Sequence, residues 1–164
     1  MASRRKARIL AFQALYSWEV NDAINTPCTG SPKSSAIPEG LLEFSWLESD
    51  KRAALEEDIS GFSRLLVVGA IENIAAIDAM IRRHLENWDI SRLNRVDLAI
   101  LRLSAYTLMY QTDVAPSIVI NEAIGISKEF GADDSFRFIN GVLDSIKRTL
   151  QGTQVLPGPV TPNK

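Results

Sequence analysis

The sequence has 164 residues, enough for one domain with a continuous buried core. Hydrophobic residues make up 46% and charged residues 23%, a globular balance that excludes an intrinsically disordered chain. The formal net charge of -2 gives no overall drive toward polyanions, so any such drive must come from where the charges sit.

Residues 3–20 read as a first helix, with Ser3 as its cap and Ala7, Leu10, Ala14 and Trp18 at helical spacing. Phe12, Leu15 and Tyr16 occupy other faces, so this helix is expected to lie among neighbours. Residues 25–49 read as a loop or insertion. Proline, glycine, serine and threonine dominate 25–40, and a short helix at 41–47 would carry Leu42, Phe44 and Trp46. A long helix follows over 50–85, with Ile59, Phe62, Leu66, Ala70, Ile74, Ile77 and Ile81 in steps of three and four. Gly61 and Gly69 each cost ~1 kcal/mol against alanine there, and mark a break or a close approach. The segment 92–111 is apolar on most sides and is the expected central helix. Pro116 suits the first turn of the next helix, and Gly131 suits a left-handed closing position at its end. Asp133 then caps a last helix striped by Phe136, Ile139, Leu143, Ile146 and Leu150. Nothing alternates with period two for long. The fold class is therefore all-α, with a domain over 1–150 and a disordered proline-rich tail over 151–164.

The single cysteine, Cys28, allows neither an intrachain disulfide nor a zinc cluster, and fits a reducing cytoplasm. No apolar run approaches the ~20 residues of a membrane span, which reads against a membrane partner. Gln13 interrupts the apolar stretch after the basic N-terminus, and no small-x-small pattern follows, which reads against a targeting segment. For catalysis the chain offers little. His84 follows Arg82 and Arg83 where a helix end favours cations, and Cys28 lies in a loop. Acidic runs at Glu56–Asp58 and Asp133–Asp134 fit solvated or capping positions. The reading is no catalytic residue, no metal site, no cofactor and no enzyme.

Charge placement says more. Arg4, Arg5, Lys6 and Arg8 stand at a helix N-terminus with no acid before Glu19. There each opposes the helix dipole by ~0.3–1 kcal/mol, so an anionic partner explains them better than helix stability does. A solvated basic end is the plain alternative. On the last helix Phe138 points away from the apolar stripe beside Arg137. It is placed either to stack on a base or to pack inward, and Asp134 nearby can accept from base amino groups.

The stretches RRKARILAFQALYSW, RLNRVDLAILRLSAYTLMY, DVAPSIVINEAI and KEFGADDSFRFINGVLD together resemble the NusB family, over residues 3–22 and 58–148. The resemblance implies about seven helices in two packed helical subdomains. It also implies an RNA-binding antitermination factor that binds boxA RNA with the ribosomal protein NusE, joins RNA polymerase and supports ribosomal RNA transcription. Carried over by position, Arg4, Arg5, Lys6 and Arg8 match the family's RNA-contacting terminus, and Asp134, Arg137 and Phe138 its second RNA-contacting region. Tyr16 and Asp97 match positions facing NusE, although Tyr16 also suits a core and Asp97 a pairing with Arg102. Phe136-Arg137 stands where the family often has His-Lys, which keeps the charge and loses a histidine hydrogen bond. Two other readings stay open at this point: a pure protein-interaction module, and a domain of the kind that leads RNA cytosine methyltransferases. Monomer or homodimer also stays open.

Overall fold

The computed structural model describes residues 2–25, 37, 40–55, 57–85 and 89–154. Cys28, Glu56, most of the 25–49 insertion and the tail beyond 154 lie outside the described residues. The chain is organised around α5 (Arg95–Tyr110), whose residues from Asp97 to Leu108 are all buried. A helix apolar on most sides has no face to give to water and must be surrounded. Against it pack α1 (Ala2–Asn25), α3 (Glu57–Glu72), α4 (Ile74–Arg83), α6 (Pro116–Phe130) and α7 (Ser135–Gln154). A short α2 (Ser49–Ala53) and a single 3-10 turn at Ile90–Arg92 complete the described elements, with no strand among them. α1 and α3 form one half, α6 and α7 the other, and α5 touches both. The core runs unbroken from Leu15 and Trp18 through Ile71 and Ile77 to Ile126, Ile139 and Leu143. The two halves thus share one hydrophobic core instead of each closing its own. No described helix is long and apolar enough to cross a membrane.

Several local expectations are corrected. The 50–85 segment is three helices, broken between α3 and α4 at Asn73, and neither glycine causes the break. Asn73 Nδ2 donates to the Gly69 carbonyl at 2.8 Å, the kind of side-chain bond that competes with helix continuation. Gly69 instead serves a close approach, since a Cβ there would collide with the ring and hydroxyl of Tyr106 on α5. Residues 40–47 form turns, with Gly40 at φ +85° and Phe44 at φ +54°. Leu41 and Phe44 are the buried residues there, while Trp46 is exposed. Gly131 is extended at φ -93° and ψ -179°; its N–H still closes α6 by donating to the Ser127 carbonyl at 2.8 Å. α1 begins at Ala2, so Ser3 lies inside the helix, and α7 begins at Ser135, two residues past Asp133. α7 also continues to Gln154, so residues 151–154 are helical.

Arg102 fixes how α1, α4 and α5 meet. Its Nε and Nη2 donate to Asp78 Oδ1 and Oδ2, both at 2.9 Å, and its Nη1 to Glu19 Oε2 at 2.7 Å. The guanidinium also lies 5.6 Å from the Trp18 ring. Such a planar fork satisfies two carboxylates at once, which an ammonium does not. The Asp97–Arg102 pairing that the spacing suggested is therefore absent.

Candidate nucleic-acid interface

The basic residues of α1 do not act as one group. Arg4 is exposed, with its guanidinium 4.6 Å from the centre of the Phe62 ring on α3. Arg5 is exposed too, and reaches the end of α6, where its Nη2 stands 3.8 Å from Glu129 Oε2. Gly125 makes room for it: a Cβ there would sit 3.3 Å from that nitrogen. Lys6 is exposed. Arg8 differs. One turn on from Arg4, it is only 7% exposed, and burial lowers its guanidinium from the ordinary value, with Glu122 of α6 opposing that shift and Arg4 adding to it. Glu122 Oε2 is itself buried without a hydrogen-bond partner among the described residues. Arg4, Arg5 and Lys6 are therefore outward, while Arg8, on the same face as Arg4 but one turn deeper, is buried. Of the four, Arg8 is the one the structure withholds from a surface contact.

The second group lies where α6 hands over to α7. Phe136 carries two cations: Lys128 Nζ at 4.9 Å and the Arg137 guanidinium at 5.6 Å from the ring centre. Aromatic faces attract cations in this way, so the phenyl ring in place of the family's histidine gathers positive charge beside Arg137. Lys128 adjoins Glu129, the residue that Arg5 approaches. The end of α6 thereby meets both the α1 arm and the start of α7.

Asp134 and Phe138 line a cleft of about 450 Å³ with Arg92, Leu93, Asn94, Asp97, Ala132, Asp133 and Ser135. It is set between the N-termini of α5 and α7. Phe138 is half-buried against the core while lining the cleft, so the expectation that it packs inward holds in part. Asp97, expected on a partner-facing surface, is only 7% exposed and belongs to this cleft. Its Oδ2 accepts from Asn94 Nδ2 and from Ser135 Oγ, both at 3.2 Å, which ties α5 to α7. Burial pushes its carboxyl up, and those two bonds pull the other way.

Tyr16 is 39% exposed and so is not core. It borders a separate apolar groove of about 470 Å³ with Phe12, Val20, Trp46, Val96 and Phe130. Trp46 Nε1 donates to Gln13 Oε1 at 3.3 Å across that groove. Tyr16, Leu93, Asn94, Val96, Phe130 and Ala132 recur in a third depression that links the groove to the Phe138 cleft. Trp46, Phe130 and Arg92 escaped sequence reasoning. Phe130 reads as an end-of-helix residue, and only its ring contact with Phe12 at 5.3 Å, across 118 positions, places it here.

The chain matches the NusB family over residues 5–148. It is 47% identical over 146 residues to the transcription antitermination protein NusB of Treponema pallidum, covering 89% of this chain and 93% of that protein. The NusB of Treponema denticola is 49% identical over 146 residues, covering 88% and 95%. Among solved structures, a crystal structure of the antitermination factors NusB and NusE in complex with dsRNA is similar at a TM-score of 0.71 and 27% identity, over 91% of this chain and 98% of that one. The seven helices among the described residues, the match from residue 5 to residue 148 and these relatives agree: the chain belongs to the NusB family.

Proposed function

We propose that this protein is a cytoplasmic, non-enzymatic adaptor that binds boxA RNA together with NusE. In this role it assembles a processive antitermination complex on RNA polymerase and supports ribosomal RNA transcription. The observation that carries the reading is that the end of α6 meets both Arg5 of the α1 arm, at Glu129, and Phe136 of α7, at Lys128, in a chain similar to a NusB solved with NusE and dsRNA. Relatives matched over 93% and 95% of their lengths bear the antitermination name, which favours an adaptor over an enzyme's leading domain.

In this reading Arg4, Arg5 and Lys6, with Arg137 and Lys128, neutralise phosphates, while Phe138 and Asp134 meet bases. Phosphate contacts position the RNA and base contacts specify it. Tyr16 and its apolar groove suit a protein partner, since an aromatic anchor beside an apolar depression is what interfaces use. The test is fluorescence anisotropy of a labelled boxA RNA and a scrambled control, with and without NusE, over a salt series. The expected result is a boxA preference that NusE tightens. An Arg4/Arg5/Lys6→Ala variant should flatten the salt dependence by up to about three in log–log slope. Equal binding of boxA and scrambled RNA in both conditions would overturn the proposal.

A further inference from the structure

In the sequence Phe136 opens the apolar stripe of α7, yet its ring does not join the core. Ile139, Leu143 and Ile146 are buried there, whereas Phe136 is half-buried and packs against neither apolar cluster of the described residues. A phenyl ring left partly in water forgoes stabilisation, about 25 cal/mol for each Å² still exposed. The ring instead carries two cations from two helices. Lys128 Nζ of α6 stands 4.9 Å from its centre, and the Arg137 guanidinium of α7 stands at 5.6 Å.

The same two cations pass over the carboxylates beside them. Lys128 adjoins Glu129 in sequence, and Arg137 follows Asp133 and Asp134, all of them exposed. Neither cation forms an ion pair among the described residues: Glu129 takes Arg5 instead, and the pairs on α7 are those of Asp144 with Lys147 and Arg148. A ring holds a cation through its quadrupole and leaves the positive charge in place, whereas a carboxylate cancels it. Lys128 and Arg137 are thus given a direction without being neutralised, on one shared support. Such a pair fits a backbone phosphate, whose oxygens take a point charge from lysine and a planar fork from arginine.

We propose that Phe136 is a positioning residue for RNA binding, which holds Lys128 and Arg137 together as one clamp for the RNA backbone. The proposal rests on the RNA-binding reading above and adds to it a residue that acts only through its two cations. Holding both side chains beforehand removes part of the ordering cost that each would otherwise meet on binding. Phosphate contacts set register and not sequence, so the clamp fixes where the strand crosses from α6 to α7.

The test maps the clamp onto the RNA. Anisotropy is measured with NusE and boxA RNAs in which each backbone phosphate is replaced in turn by a neutral methylphosphonate. Lys128→Gln and Arg137→Gln should each erase the wild-type penalty at the same linkage or at two adjacent ones, and each lower the salt slope by about one. Phe136→Leu keeps an apolar side chain but has no ring face. With both cations still present, it should weaken boxA binding about three- to tenfold and shrink those same penalties. Phe136→Tyr should restore both, and Phe136→Leu added to the Lys128→Gln/Arg137→Gln chain should cost nothing further. Lysine and arginine penalties at distant linkages would overturn the clamp, and that map decides the matter alone should Phe136→Leu fail to fold. So would unchanged penalties in Phe136→Leu, or a loss that tyrosine does not rescue, which would make the ring merely structural. A loss confined to NusE affinity would also overturn it, by giving the two cations to the protein partner. Absence of any boxA preference in the wild type would instead remove the RNA reading itself, so the two failures are distinguishable.

Discussion

α5 presents two buried charged residues five positions apart, and the fold treats them in opposite ways. Arg102 is matched on both sides: Asp78 takes two of its nitrogens, Glu19 a third, and Trp18 lies beside it. Asp97 is half matched, with one oxygen bonded to Asn94 and Ser135 and the other unpaired. The first arrangement locks three helices together. The second leaves part of a burial cost uncompensated at the edge of a cleft. Matched buried charge fixes how helices pack, and half-matched buried charge costs stability.

Substitution should separate the two. Arg102→Met strands two carboxylates in the core and is expected to cost about 3–5 kcal/mol, read as a fall in the chemical denaturation midpoint. Glu19→Ala leaves the Asp78 pair intact and should cost about 1.5–3 kcal/mol in the same assay. A loss as large as that of Arg102→Met would mean the network depends mainly on Glu19. Asp97→Asn should have the smallest effect and the opposite sign. The folded-state pKa of Asp97 lies above the ordinary 3.8, so below that value both states hold the proton and nothing is lost. As pH rises through the folded pKa the folded state binds the extra proton, so stability falls, and the penalty is complete above it. The variant should therefore gain on wild type as pH moves from acid to neutral, by a few degrees in Tm at most, at roughly 2–4 °C per kcal/mol for a chain of this size. A variant less stable than wild type at neutral pH would show that the carboxylate is structural after all.

Much of the fold was legible because helical periodicity is a local signal. The all-round apolar run of α5, the proline start of α6 and the stripe of α7 each follow from residues within four positions of one another. What depended on distant packing was not legible. The α3–α4 break rests on one asparagine bond, and the role of Gly69 is set by Tyr106 on another helix. In the site, charge alone marked Arg4, Arg5 and Lys6 correctly as surface residues. It did not show that Arg8 is buried, which depends on packing between elements distant in sequence. The burial of Asp97 was not legible for the same reason, since its Oδ2 accepts from Ser135, thirty-eight positions later.

The seat of Arg5 on α6 also bears on how the protein is made. Arg5 leaves the ribosome near the beginning of synthesis, but Glu129 and the gap at Gly125 that receive it come more than a hundred residues later. At bacterial elongation rates that is a delay of roughly 6–25 s. During it the arm has charge but no fixed direction. Only the finished molecule sets Arg5 against Glu129 at the end of α6.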